Sequence, residues 1–197
     1  MTKFSAIVLA AGLSSRMEGG HKLLMSIDEK TVFEHSLKSI TAADFSEIIV
    51  VLGKEAERLE KLIPKEYMIQ TVVNSAFELG MTSSIQTGIA EATGDVYVIC
   101  LADMPFLTSA DYNQLMDCFR EENGKSILVP LYEGVKGNPV LFDKDYRKEI
   151  LEHTQPNGCS QIVKQNSKKA HFFETNNLRF TLDIDTKADF DKWTNAK

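Results

Sequence analysis

Short apolar runs alternate along the chain with segments of helical period. Phe4-Ser5-Ala6-Ile7-Val8-Leu9 predicts a first buried strand, and the continuous apolar stretch Glu47–Gly53 a second. Between them, Thr31–Ile40 carries apolar residues at 32, 33, 37 and 40, a helical spacing with Thr31 placed as the cap. Lys54–Ile63 reads as a charged surface helix stopped by Pro64, residues 67–73 as a third strand, and Asp95–Asp103 as a fourth. Helix Ser109–Glu122, strand Ser126–Pro130, strand Asn138–Phe142 and helix Lys144–Glu152 follow, with a Gly-containing turn between 130 and 138. The chain continues with a short helix over Ser160–Asn166, a strand His171–Glu174, the segment TLDIDT (181–186) and a closing helix from Lys187. Strands alternating with helices, and no repeat or linker, predict one α/β domain over residues 1–197 with a mostly parallel sheet covered on both faces.

The segment after the first strand, LAAGLSSRMEGGHKLL (9–24), breaks this rhythm. Connections in compact domains are usually about 4–6 residues long, and much longer ones tend to be functional or disordered. Here small residues, glycines at 12, 19 and 20 and the cations Arg16 and Lys22 run from Ala10 to about His21, a composition suited to wrapping backbone N–H groups around an anion. The two commonest phosphate loops are absent. Lys22 is flanked by His21 and Leu23, which breaks the Gly-Lys-Ser/Thr pattern, and Gly12 and Gly19 are too far apart for a dinucleotide fingerprint.

In open α/β sheets ligands bind beyond the carboxyl ends of the strands. Three unusual loops are expected on that edge: the opening loop, NSAFELGMTSS (74–84), and Asp103-Met104-Pro105. Asp103 at the end of a buried strand needs a cation or donors; Thr108 is better placed to cap the next helix, and one carboxylate plus substrate phosphates is an ordinary Mg²⁺ site. Asp183 and Asp185 alternate with Leu182 and Ile184, so in an extended segment both carboxylates share one side; Thr186 caps the last helix, and one of the pair is a candidate second metal ligand. A helix beginning at Met81 or Thr82 holds Ser83 and Ser84 in its first turn, fitting an anion or polar ligand as well as ordinary capping. GNPVLF (137–142) fits a turn into an edge strand equally well.

Composition narrows the classes. With 197 residues and 43% hydrophobic content the chain can bury one sizeable core. A formal charge of −6 argues against a generic nucleic-acid or membrane surface, so a polyanionic ligand must meet a local cluster of cations. No signal-peptide pattern and no apolar run of about 18 residues is present, which predicts a soluble cytoplasmic protein. Cys100, Cys118 and Cys159 are odd in number and widely spaced, suggesting neither disulfides nor a zinc site. Without a Ser/His/Asp or Cys/His arrangement, the chemistry that fits is attack of a phosphate on the α-phosphorus of a nucleoside triphosphate, which needs positioning and charge compensation rather than a protein nucleophile.

On these motifs the chain resembles the nucleotidyltransferases that attach a nucleotide to molybdopterin or to sugar-type phosphates. LAAGLSSRMEGGHKLL, NSAFELGMTSSIQTGI, LADMPFLT, GNPVLF and LDIDTKADF stand in the order and spacing of the molybdenum cofactor cytidylyltransferases, a MobA-like group whose close relatives serve as accessory proteins for xanthine dehydrogenase in purine catabolism. The resemblance implies a Rossmann-like, glycosyltransferase-A-type fold, CTP, Mg²⁺ and a molybdopterin-type acceptor, with a molybdenum hydroxylase apo-enzyme as a further partner. It implies that Leu9, Ala10, Ala11, Gly12 and Ser14 hold the nucleotide together with Asn74, Gly80, Ser83 and Ser84. It implies phosphate contacts from Arg16 and Lys22, a catalytic role for these two and Asp103, metal binding by Asp103, and a metal and product side at Asp183 and Asp185. Ala-Ala-Gly at 10–12 resembles the cytidine rather than the guanine members. Glu18 stands where many members carry Gly, and Asn138 where a His often precedes the Pro. A sugar- or alcohol-phosphate cytidylyltransferase would share the loop and Asp103, and a non-catalytic cofactor carrier would share the binding residues without turnover.

Overall fold

A computed structural model of the protein describes residues 1–13, 21–122 and 126–194. The strands and helices, in chain order, are β1 (Phe4–Ala10), the two-residue strands β2 (Ser26–Ile27) and β3 (Lys30–Thr31), α1 (Val32–Thr41), β4 (Glu47–Leu52), α2 (Ala56–Glu60) and β5 (Ile69–Val73). They continue as α3 (Met81–Glu91), β6 (Val96–Leu101), α4 (Ser109–Glu121), β7 (Ile127–Tyr132), β8 (Val135–Lys136) and β9 (Val140–Asp143). The last are α5 (Arg147–Leu151), α6 (Ser160–Gln165), β10 (Ala170–Thr175) and α7 (Lys187–Thr194).

Among the described residues the main sheet has the order β10-β7-β9-β6-β1-β4-β5, with β8 paired to β7. β1 lies between two parallel partners, Ile7 standing opposite Ile49 of β4 and Ile99 of β6. β9 runs antiparallel to both β6 and β7, so the sheet is mixed but mostly parallel. Strand periodicity sorts side chains to two faces: Phe4, Ala6, Val8 and Ala10 pack with Leu37 of α1 and Leu115 of α4, whereas Ile7 packs with Ile85 and Ile89 of α3. A Cβ on Gly88 would meet Ile7 and come within 2.9 Å of Val51 Cγ2, so glycine is what lets α3 lie so close to the sheet. From β1 the chain steps outward to β4 and β5, then returns to the opposite side of β1 for β6. This reversal opens a crevice at the carboxyl ends of β1 and β6.

Several expected boundaries shift. β6 stops at Leu101; Ala102 still donates its N–H to Leu9 (3.3 Å), and Asp103 stands beyond the strand rather than in it. The charged segment 54–63 keeps only Ala56–Glu60 as α-helix, because Leu59 is its one fully buried anchor. The presumed turn at 130–138 holds more strand than expected: β7 continues to Tyr132, and Glu133-Gly134, both with positive φ (50° and 78°), closes a two-residue hairpin onto β8. The segment from Lys144 begins as a 3₁₀ turn and becomes α-helical only at Arg147. The expected caps are present: Thr31 and Thr108 each form a reciprocal capping box, and the Thr186 hydroxyl accepts from the Asp189 N–H. No described helix is long and apolar enough to cross a membrane.

Candidate active site

A cavity of about 330 Å³ lies at the crevice. The opening loop contributes Leu9, Ala11, Gly12 and Lys22, the second loop Gly80 and Ser84, and the far side Asp103, Asp183 and Asp185. The three loops expected on this edge therefore converge, and the tail segment with Asp183 and Asp185 joins them. Ser14, Arg16 and Glu18 lie outside the described residues.

The Lys22 ammonium joins the carboxylates. It donates to Asp103 Oδ2 and, at 2.7 Å, to Asp185 Oδ1, with the Lys22 and Asp103 side chains only 14% and 13% exposed. Burial alone would lower the lysine pKa, but Asp103 and Asp185 outweigh it and the value rises, so the ammonium stays charged. A backbone hydrogen bond from the Ile184 N–H to the Asp103 carbonyl (3.0 Å) holds the two acidic segments together, and with Ile184 fully buried, Asp183 and Asp185 both reach the cavity. Burial, then the charges of Asp103 and Asp185, push the Asp183 carboxyl upward. Asp185 shares the ammonium with Asp103. The second oxygen of Asp103, Oδ1, is buried without a hydrogen-bond partner among the described residues.

Other expected ligands are engaged elsewhere. Asn74, 4% exposed, donates from Nδ2 to the Ser83 and Ser84 hydroxyls (2.9 and 3.0 Å), and the Ser83 hydroxyl reaches the carbonyls of Ala76 and Gly80. Both side chains brace the loop before α3 instead of lining the cavity. Gly80 closes that loop with φ +100°, and a Cβ there would lie 2.8 Å from the Pro156 carbonyl oxygen. The Ala10 side chain is buried in the core beneath the site.

His21, Phe77, Glu78 and Met81 also line the cavity, beyond the expected set. The Gly12 carbonyl can only accept, so His21 donates Nε2–H to it (2.9 Å) and fastens the two described ends of the opening loop. Burial lowers the His21 pKa, partly opposed by that carbonyl and Glu55, which leaves a neutral ring. Met81 and Leu101 also border a second cleft, of about 190 Å³, with walls from Ile99, Val140 and Phe142 and a rim holding Lys136 and Asn138.

Asp111 of α4 clamps the acidic tail segment in place. Arg179, four residues before Asp183, donates to both its oxygens (3.0 and 2.8 Å), and Asn177 adds a third bond (2.7 Å). Burial pushes the Asp111 carboxyl up, but the Arg179 guanidinium and the Thr108 N–H and hydroxyl outweigh it and hold the value below the usual range. The folded value is thus depressed, so the clamp's stabilisation is complete above pH about 3.9, the unfolded value, and is lost as pH falls through the lower folded value. Asp111→Asn is expected to cost about 1–3 kcal/mol at pH 7, the range for hydrogen bonds to a charged group, with the deficit shrinking below pH about 4. Urea unfolding of both proteins between pH 2.5 and 7 measures this, and a deficit constant with pH contradicts it.

The MobA-like NTP transferase domain model matches residues 6–170. The chain is 28% identical over 195 residues to the molybdenum cofactor cytidylyltransferase of Escherichia coli K12, covering 96% of this chain and 95% of that protein. It is 29% identical over 153 residues to a protein of Methanosarcina acetivorans described as "Probable molybdenum cofactor guanylyltransferase", covering 75% and 66% of the two chains. Among solved structures, Rv0371c from Mycobacterium tuberculosis H37Rv superposes with a TM-score of 0.87 at 23% identity, over 99% of this chain and 98% of that one. With a mostly parallel sheet of glycosyltransferase-A type and the expected motifs gathered at its crevice, the chain belongs to the MobA-like NTP transferase family and is a nucleotidyltransferase.

Proposed function

We propose that the chain, acting as a single nucleotidyltransferase domain in the cytoplasm, transfers CMP from CTP to a phosphate acceptor of the molybdopterin type and releases pyrophosphate. The product would serve maturation of a molybdenum hydroxylase such as xanthine dehydrogenase. The observation that carries the reading is the meeting of Lys22, Asp103 and Asp185 beside a cavity that shares Met81 and Leu101 with a second cleft. One cavity, lined by the acidic group, accommodates the nucleotide and the adjoining cleft the acceptor. Cytidine rather than guanine is favoured by Ala10-Ala11-Gly12 and by the similarity along nearly the full chain to a cytidylyltransferase.

An oxygen of the acceptor phosphate attacks the α-phosphorus, a new P–O bond forms, and the α–β bridging bond breaks with its electrons on pyrophosphate. The acceptor oxygen is already anionic, so no protein base is required. The donor set fits Mg²⁺: no cluster of three His, Cys, Asp or Glu ligands occurs among the described residues, but Asp103 and Asp185 face one cation position and Asp103 keeps an unpartnered oxygen. Two carboxylates completed by phosphate oxygens and water are an ordinary Mg²⁺ arrangement. When bound there, the metal supplies compensation of the triphosphate charge. Lys22 adds a positive charge beside the same phosphates, and the apolar walls of the second cleft restrict water around the acceptor.

The test is turnover with CTP and GTP, each offered molybdopterin-type, sugar-phosphate and alcohol-phosphate acceptors, with products identified by mass spectrometry. CTP with the molybdopterin-type acceptor is expected to give the highest kcat/KM, and Ala11→Gly to narrow the gap between nucleotides. Equal efficiency with CTP and GTP rejects the base assignment, a preferred sugar phosphate replaces the acceptor, and binding without pyrophosphate release leaves a carrier.

A further inference from the structure

The position at which one cation serves both Asp103 and Asp185 is held by the protein's own ammonium. Lys22 Nζ contacts Asp103 Oδ2 and lies 2.7 Å from Asp185 Oδ1, although the partners stand 81 and 163 residues away in sequence. A divalent ion cannot share that position with an ammonium, because two cations about 3 Å apart repel strongly in a partly buried site. Removing the ammonium without replacement is no easier: its side chain is 14% exposed, and leaving Asp103 and Asp185 would strand a largely desolvated charge. The exchange becomes favourable only when another anion arrives to receive the lysine. A triphosphate in the adjoining cavity is such an anion, since Lys22 itself lines that cavity.

From this juxtaposition we infer that Lys22 is a resident counter-ion that closes the metal seat until a nucleotide arrives, so that the divalent ion enters with the triphosphate and not before it. The lysine leaves the carboxylates for the phosphates as the metal takes its place. The same residue thereby sets the order of assembly and later offsets phosphate charge. This rests on the nucleotidyltransferase reading for the identity of the incoming anion, but the closed seat itself can be read without any nucleotide.

The experiment measures Mn²⁺ binding by the loss of its free EPR signal. Wild type, Lys22→Met and Lys22→Arg are each titrated with Mn²⁺ alone and then beside a non-hydrolysable CTP analogue. Wild type is expected to bind Mn²⁺ at least tenfold more weakly alone than with the analogue. Lys22→Met, which keeps an unbranched apolar stem but not the charge, is expected to bind Mn²⁺ alone at least tenfold more tightly than wild type, a gain that Asp103→Asn in the same background abolishes. Lys22→Arg is expected to stay closed. If Lys22→Met does not fold, wild type carries the test through its thermal midpoint, which should rise with Mn²⁺ and analogue together and not with Mn²⁺ alone. Equal Mn²⁺ affinity of wild type and Lys22→Met without nucleotide, or an equal midpoint rise with Mn²⁺ alone, overturns the inference. Failure of the CTP reading shows separately, as tighter Mn²⁺ binding with a GTP analogue than with the CTP analogue, and leaves the Mn²⁺-only comparison intact.

Discussion

Asp103→Asn is expected to lower kcat about 100- to 1,000-fold at saturating CTP and Mg²⁺, a barrier increase of about 2.7–4 kcal/mol. The substitution keeps the shape of the side chain and removes the charge that faces both Lys22 and the proposed metal. Because Asp185 still receives the Lys22 ammonium at 2.7 Å, the variant should fold, with a thermal midpoint close to wild type. Steady-state kinetics beside thermal unfolding make the comparison. Turnover above about a third of wild type would mean a barrier change under 1 kcal/mol and would remove Asp103 from the metal site.

The second large effect is expected at Lys22. A surface lysine at the end of a loop would be nearly silent on truncation, since isolated exposed charges contribute little. Lys22 is not in that class: it is largely shielded from solvent and held by the carboxylates of Asp103 and Asp185. Lys22→Ala should lower kcat by about 3 kcal/mol in barrier terms, the scale for removal of one preorganised electrostatic donor. Lys22→Arg should recover little, because a planar guanidinium fork can still pair with the two acids but cannot reproduce the compact ammonium against the phosphates. The measurement is kcat for both variants at saturating CTP and Mg²⁺. A wild-type kcat in the alanine variant would confine the lysine to holding Asp103 and Asp185 together.

The parts of the fold that were readable in the sequence are those decided by local pattern. β1, β4 and β6 lie at the centre of the sheet and read as apolar runs because both their faces are covered; Thr31, Thr108 and Thr186 act within four residues of themselves. The errors fall where one contact or one turn residue decides. Leu59 alone cannot sustain the ten residues of helix that the charge pattern suggested, and Glu133 had to adopt a positive φ for the β7–β8 hairpin to close. At the site, the residue types were legible but their partners were not. Nothing local to Lys22 tells that its ammonium lies on Asp103 and Asp185, and nothing local to Asn74 or Ser83 tells that their polar atoms brace a loop instead of facing the cavity. His21, a single histidine without metal-ligand spacing, carries no signal in the sequence until the Gly12 carbonyl is seen beside it.

The hydrogen bond from Ile184 to the Asp103 carbonyl has a consequence for the order in which the protein comes into being. On the ribosome, β1, β4, β5 and β6 can pair while the tail is still being made, giving a central sheet with Lys22 and Asp103 in place and the other wall of the crevice missing. Asp185 follows Lys22 by 163 residues, and until it emerges the ammonium lacks that carboxylate. Contacts spanning such separations form late, since the intervening chain must be ordered first. A nascent chain halted before residue 180 should therefore protect its central strands from hydrogen exchange and yet transfer no nucleotide, competence arriving as a last step rather than growing with the fold.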